Sequence, residues 1–252
     1  MIYFLKKLPR KALHRFGLDI IRLSKSGHGL FLRDHFQRLN QRRLEHLACL
    51  GLDIAGSTVL EVGAGIGEHT SFFLDRNCQI TTSDAREEHV KMLRSRYPSI
   101  RVLQINLDTP PKMFNESFDI VYCYGVLYHL GNPFTAIEFM SNCCRKMLLL
   151  ETCISFGDED SINLITEDAI DPRRSITGVG CRPTRSWIFN ELKKYFEFVY
   201  LPITQPNHEE YPIDWTNARS KTTRNRAIFI ASQQKINNRL LVEEIPIKQI
   251  RH

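Results

Sequence analysis

The run from Val59 to Thr70, V-L-E-V-G-A-G-I-G-E-H-T, does most to limit what this 252-residue chain can fold into. Thr58, Val59, Leu60 and Val62 are β-branched or apolar and predict a buried strand. Glycines follow at alternate positions, Gly63, Gly65 and Gly67, and Thr70-Ser71-Phe72-Phe73-Leu74 resumes with a helical apolar face. A strand that turns directly into a helix gathers backbone N–H groups and the positive end of a helix dipole at one point. Glycine lets a ligand approach that backbone closely. The segment therefore predicts a cradle for a nucleotide-like cofactor.

From residue 58 onward, strand and helix signals alternate. Strands are predicted at 58–62, 79–83, 100–105, 118–124, 147–152, 197–200 and 227–231, and helices at 33–49, 67–76, 85–96, 133–143 and 184–195, the last capped by Thr184. Such a β-α series predicts one mostly parallel, seven-stranded sheet with helices on both faces. Right-handed crossovers then bring the C-terminal strand ends to one edge. That rim collects Gly63 with Ala64, Ser83-Asp84 with Ala85, Asn106-Leu107-Asp108, and Tyr124-Gly125. The alternation fails at 153–183 and again at 201–225, polar stretches long enough to be lids or binding loops. The expected organisation is a basic helical segment at 1–50, the sheet domain at 51–232 and a polar, peripheral tail at 233–252.

The spacing of the glycines narrows the cofactor. A dinucleotide fingerprint needs glycine at position 68, where the chain has Glu68. Glu61 and Glu68 would repel a pyrophosphate, whereas a cationic sulfonium with an α-amino group is compatible with them. Asp84, ending the second strand 21 residues after Gly63, is placed to accept from both ribose hydroxyls and also to cap the helix that follows.

The motif E-x-G-x-G-x-G at 61–67, with Asp84 and the run Phe118-Asp119-Ile120-Val121 followed by Gly125-Val126-Leu127-Tyr128-His129-Leu130-Gly131-Asn132-Pro133, resembles the class I S-adenosylmethionine (SAM) methyltransferases over about 100 residues. The resemblance implies a Rossmann-like fold and SAM as cofactor, held by Glu61, Gly63, Ala64, Gly65, Gly67, Asp84, Ala85, Asn106, Leu107, Asp108, Tyr124 and Gly125. Methyltransferases of this pattern often carry Asp where this chain has Asn106, so the adenine amine falls to either Asn106 or Asp108; Asp108 also reads as a turn residue before Pro110. The nearest type is the small-molecule and glycan-modifying enzymes. The G-V-L-Y-H-L run is similar to tRNA wobble-uridine carboxymethyl-transferring enzymes, and Phe16–Leu23 is similar to the leader of methyltransferases found with bacterial surface-polysaccharide pathways.

Methyl transfer from a sulfonium is an in-line displacement, so the protein must align the acceptor and exclude water. A hydroxyl acceptor also needs a base. His129 is the candidate, with Tyr128 orienting the acceptor; an amine or carboxylate acceptor would leave His129 structural. Arg182, Arg185, Trp187, His208 and Trp215 in the irregular loops, alongside Arg173 and Arg174, are candidate contacts for a sugar or anionic acceptor. His208 with Glu209 or Glu210 reads either as a second acid–base or metal pair or as solvated loop charge. No metal site is expected. Alternatives are a tRNA-modifying SAM enzyme, a SAM-binding module without transfer, and an NAD-dependent oxidoreductase, which Glu68 disfavours.

None of the seven cysteines form a C-x-x-C pair, which suits reduced thiols in a cytoplasmic protein. Charge is uneven. Residues 1–50 hold eleven Lys or Arg against three acids, net +8, so the remainder carries −2 of the overall +6. The basic segment predicts peripheral contact of residues 1–25 with an anionic inner membrane, a nucleic-acid surface, or a helix packed on the body with a solvated basic face.

Overall fold

The computed structural model describes residues 27–216 and 224–252. Its centre is an eight-stranded sheet whose neighbours, from one edge to the other, are Leu241–Val242, Phe198–Pro202, Asn225–Ser232, Cys144–Ile154, Phe118–Tyr124, Thr58–Glu61, Gln79–Asp84 and Arg101–Gln104. The strands are β1 (Thr58–Glu61), β2 (Gln79–Asp84), β3 (Arg101–Gln104), β4 (Phe118–Tyr124), β5 (Cys144–Ile154), β8 (Phe198–Pro202), β10 (Asn225–Ser232) and β11 (Leu241–Val242). Strands β1 to β5 run parallel, and β10, β8 and β11 add antiparallel neighbours. Helices α1 (Asp34–Cys49), α2 (Thr70–Leu74), α3 (Glu87–Arg96), α4 (Pro133–Asn142) and α5 (Arg185–Leu192) cover the sheet. Thr184 caps α5 by accepting from Trp187 N, as its position predicts. Asn132 caps α4 by accepting from Thr135 N, with Pro133 at the first helical position.

Alternation along the strands divides the core. Leu60, Val121, Cys123, Leu148, Leu150 and Phe229 face the layer built from α4 and α5. Val59, Ile120, Tyr122, Tyr124, Leu149, Ile228 and Ile230 face the layer built from α1 and α2. A period of two fixes which residues share a face. By that register Glu61, Glu151 and Arg226 join Tyr122 and Tyr124 on the α1 face, at the edge where the parallel strands end. Adjacent strands set them side by side: Glu61 pairs with Tyr122, and Tyr124 with Glu151. The chain winds in opposite directions on either side of β1, so the crevice expected at a strand-order reversal lies beyond β1 and β4.

The segment read as irregular at 153–183 contains a two-stranded hairpin of β6 (Leu164–Thr166) and β7 (Val179–Cys181). The polar tail is part of the fold: Leu241-Val242 supplies the eighth strand, and β12 (Ile250–Arg251) pairs with β9 (Thr204–Gln205). Leu241, hydrophobic and buried, is what anchors the tail against β8. All seven cysteines are free thiols. No helix among the described residues is long and apolar enough to cross a membrane. Residues 1–25, where membrane contact was expected, lie outside the described residues.

Candidate active site

The glycine turn adopts the conformation that the sequence requires. Gly63, Gly65 and Gly67 all have positive φ, at 61°, 58° and 80°. A Cβ on Gly63 would fall 2.3 Å from Val126 Cγ2, and one on Gly67 would fall 2.6 Å from Tyr97 Cε2. Both glycines thus serve backbone strain and close packing at once. Asp84, at the end of β2, locks the turn: its Oδ2 accepts from Gly65 N at 2.9 Å and its Oδ1 from Arg86 N at 2.9 Å. The ring of His89 lies 3.0 Å from Oδ1. A carboxylate has lone-pair capacity beyond these bonds for ribose hydroxyls.

Two cavities open along this rim. They share Phe31, Gly63, Gly65, Gly125, His129 and Arg173, and so form one crevice with two lobes. The first lobe is lined by Asp84, Ala85, Ile105, Asn106 and Leu107, and is roofed by 172–176 of the insert. Its apolar walls with a carboxylate at one end suit an adenosine. Asp108 is not among its lining residues. Asp108 Oδ1 instead accepts from Asn132 N at 2.9 Å, while Asn106 Oδ1 accepts from Asp108 N at 3.0 Å.

The roof is clasped to the rim. Arg86 Nη2 lies 3.0 to 3.4 Å from the carbonyl oxygens of Ala169, Asp171, Arg174 and Ser175. A cation held by several carbonyls ties the insert to the loop after Asp84.

The second lobe is lined by Arg43, Glu61, Ala64, Glu68, His69, Tyr122, Tyr124, Tyr128 and Arg226, with Phe36, Leu39 and Asn40 from α1. Glu61 is buried and accepts from Thr70 Oγ1 at 2.6 Å. Burial pushes its carboxyl up to about 7, against the lowering effect of that bond. Behind the lobe, Glu151 is wholly buried and takes charge-assisted bonds from Arg43 at 2.7 Å and Arg226 at 3.1 Å. Tyr211 donates to it at 2.9 Å, and Arg226 also reaches Glu210 at 2.5 Å and Tyr128 Oη at 3.3 Å.

His129 stands where the lobes meet, on a short 3-10 turn at Leu127–His129. Its Nδ1 is 2.5 Å from Glu167 Oε2. Glu167 comes from the insert and is fixed by Ser175 N at 2.9 Å and by Arg182 Nη2 at 3.4 Å. Burial would raise Glu167, yet His129, Ser175 N–H and Arg182 hold it down at about 2. Burial lowers His129 more than Glu167 raises it. The resting pair is a carboxylate accepting from a neutral imidazole.

The five loop residues expected near the acceptor lie elsewhere, since none lines either lobe. Arg182 donates to Tyr128 O and Cys181 O and props Glu167. Arg185 donates to Pro246 O and stacks on Trp215, whose indole N–H is taken by Gln249. Trp187 packs edge-on to Phe134. His208 is buried, and its Nδ1 accepts from Glu210 N at 3.2 Å. His35, His208 and Glu209 place ligand atoms within 4.8 Å of one another. A ring whose Nδ1 accepts that N–H carries its proton on Nε2 and offers no lone pair to a metal. Arg43, His69, Tyr122, Glu151, Glu167 and Arg226 were not singled out in the sequence. The alternation of β1, β4, β5 and β10 carries a signal for four of the site's polar groups, because Glu61, Tyr122, Glu151 and Arg226 interrupt or flank one apolar face.

Comparison with known proteins agrees with this fold. Residues 59–147 match the family model described as "Methyltransferase domain". Among solved structures, the N-terminal domain of EvdMO1, crystallised with SAH and D-fucose, superposes with a TM-score of 0.60 at 17% identity over 80% of this chain and 85% of that one. Magnesium protoporphyrin IX methyltransferase from Synechocystis PCC 6803, with bound SAM, gives 0.51 at 14% identity over 90% and 98%. Among curated proteins, a tRNA U34 carboxymethyltransferase of Hahella chejuensis is 30% identical over 145 residues, 54% of this chain and 44% of that protein. The chain thus spans under half the length of that relative. The fold is that of the class I SAM-dependent methyltransferases, and residues 59–147 carry the methyltransferase domain match within it.

Proposed function

We propose that the chain moves a methyl group from SAM to a hydroxyl on a small molecule or glycan intermediate, with His129 as general base. The observation that carries this reading is the His129–Glu167 pair at the junction of the two lobes. In this reading Asp84 holds the ribose, Asn106 and Leu107 border the adenine, and Glu61 attracts the cationic end of the cofactor. SAM, when bound, supplies an electrophilic methyl group on a sulfonium. Glu167 accepts from Nδ1 and fixes the tautomer, so His129 Nε2 presents a lone pair to the acceptor hydroxyl and takes its proton. Tyr128 borders the same lobe and orients the acceptor. The clasped roof excludes water. EvdMO1, described with D-fucose, supports a sugar as one acceptor type. Transfer of labelled methyl from SAM, assayed on hydroxylated metabolites, lipid-linked glycans and bulk tRNA, tests the proposal. Transfer to a hydroxyl that survives intact in His129→Ala would remove the base.

A second reading, modification of tRNA, is favoured by the relative named for tRNA U34 carboxymethyl transfer. It predicts tRNA binding that weakens steeply with salt as phosphate contacts release counterions. The basic segment would serve that role or, in a cytoplasmic enzyme acting at the inner membrane, hold anionic lipid. Liposome partitioning that is unchanged by deletion of residues 1–30 excludes the lipid role.

A further inference from the structure

A continuous run of hydrogen bonds joins Asp84 on the rim to His129 at the junction of the lobes. Asp84 Oδ1 accepts from Arg86 N at 2.9 Å. The Arg86 guanidinium turns to the insert and, besides three other carbonyls, donates through Nη2 to Ser175 O at 3.4 Å. Ser175 N donates to Glu167 Oε2 at 2.9 Å, and the same oxygen accepts from His129 Nδ1 at 2.5 Å. Ser175 therefore takes the guanidinium on its carbonyl and gives its own N–H to the carboxylate. Ser175 and Glu167 are 1% and 8% exposed. Water does not readily replace bonds so buried, and each one helps decide where the carboxylate sits.

The insert is anchored in two parts. Its hairpin is pinned by the pairing of β6 with β7, by Glu167 N donating to Gly178 O at 2.8 Å, and by Arg182 Nη1 donating to Tyr128 O at 3.0 Å. The loop between the two strands is clasped to the rim by Arg86, and Arg173 in that loop lies 5.1 Å over the Phe36 ring. Loss of the clasp would loosen the loop while the hairpin stays folded. Ser175 N would then leave Glu167. The carboxylate would divide itself between His129 and Arg182, whose Nη2 is already 3.4 Å from Oε1. The tautomer of an imidazole is set by the partners of its two nitrogens, so a wandering carboxylate would release the proton from Nδ1.

We propose that Arg86 is a positioning residue for His129. It holds Ser175, Ser175 holds Glu167, and Glu167 keeps the His129 proton on Nδ1. The lone pair on Nε2 is then ready only while the roof is clasped over the first lobe. The consequence for turnover rests on His129 being the base; the relay itself does not.

Arg86→Met keeps the length of the side chain and deletes its donors, whereas Arg86→Lys keeps a cation. Nuclear magnetic resonance of the full chain carrying isotope-labelled histidine reads the His129 tautomer directly, its signal assigned by loss in His129→Ala. The wild type should hold the proton on Nδ1. Arg86→Met should show a mixture of the two tautomers, with much of the Nδ1 form recovered in Arg86→Lys. On the acceptor found by labelled transfer, Arg86→Met should lower kcat about tenfold, with KM for SAM changed by less than about threefold. Added to Glu167→Gln, it should lower kcat no further, because both act through one carboxylate. A wild-type His129 protonated on Nε2, or an Nδ1 form left intact in a folded Arg86→Met, would overturn the proposal. So would a full, additive loss of kcat in the double variant. If a melting curve shows Arg86→Met to be unfolded, Arg86→Gln, which is shorter and neutral, decides by the same tautomer reading. A tautomer that shifts while turnover does not supports the relay and removes His129 as the base.

Discussion

His129 Nδ1 and Glu167 Oε2 lie 2.5 Å apart, although 38 residues separate them in the chain. The contact joins the turn after β4 to the insert that roofs the crevice. A carboxylate there keeps the imidazole proton on Nδ1 and stabilises the imidazolium that forms when a proton is taken. Glu167→Gln should therefore lower turnover on a hydroxyl acceptor by about 10²-fold, the scale of general-base catalysis, with little change in KM. Glu167→Asp should recover part of the loss. Steady-state kinetics on the acceptor found by labelled transfer checks both.

The pH profile follows from the same pair. Burial sets the His129 conjugate acid below its ordinary value of 6.5. Turnover should rise with pH through a value under 6.5 and stay level above neutrality. A midpoint at or above 7 would mean that His129 is not the titrating base.

Glu61 ties stability to cofactor binding. Its carboxyl is raised from 4.5 to about 7 by burial. A folded-state acid with a raised pKa binds a proton that the unfolded chain has released between those values. Stability from this group is thus complete below pH 4.5 and is lost as pH rises to about 7. The loss amounts to about 3 kcal/mol at 1.36 kcal/mol per unit. Glu61→Gln should leave unfolding free energy nearly unchanged at pH 5 and raise it at pH 8. The same variant should bind SAM more weakly. Binding of the cation to wild type near pH 6.5 should release protons, measurable as a dependence of the calorimetric heat on buffer ionisation enthalpy.

Glu151 is the shared carboxylate partner of Arg43 and Arg226 in the buried layer at the second lobe, and Glu210 supplies a second carboxylate to Arg226. Removing one member of a buried ion pair typically costs about 3–5 kcal/mol. Glu151→Gln should lower stability by that order in urea unfolding. An effect under about 1 kcal/mol, the scale of a surface pair, would show that water reaches the network.

The glycine turn, the rim at Asp84 and Asn106 and the order of the main elements were legible in the sequence because each rests on local signals, namely strand-to-helix punctuation and periodicity. Thr184 is an example: its capping role follows from its own neighbours. Glu167 was not legible, because its partner sits across the insert and a Glu in a polar loop carries no local mark. Arg182, Arg185, Trp187, His208 and Trp215 have the mixed basic and aromatic character of contacts for an acceptor. Each is tied to other protein groups instead, Arg185 and Trp215 to the C-terminal tail and Arg182 to the turn after β4, because polar groups away from water are satisfied by protein partners. Arg43 and Arg226 were hidden for a different reason. Packing of α1 on the sheet brings Arg43 to Glu151, and the pairing of β10 with β5 brings Arg226, neither by sequence proximity.

The most direct test is a calorimetric titration of the full chain with SAM and with NAD, repeated in Asp84→Ala. The account predicts saturable one-site binding of SAM, no binding of NAD, and a loss of about 100-fold in Asp84→Ala from two charge-assisted hydrogen bonds. Binding of NAD without SAM, or SAM affinity unchanged in Asp84→Ala, would contradict it.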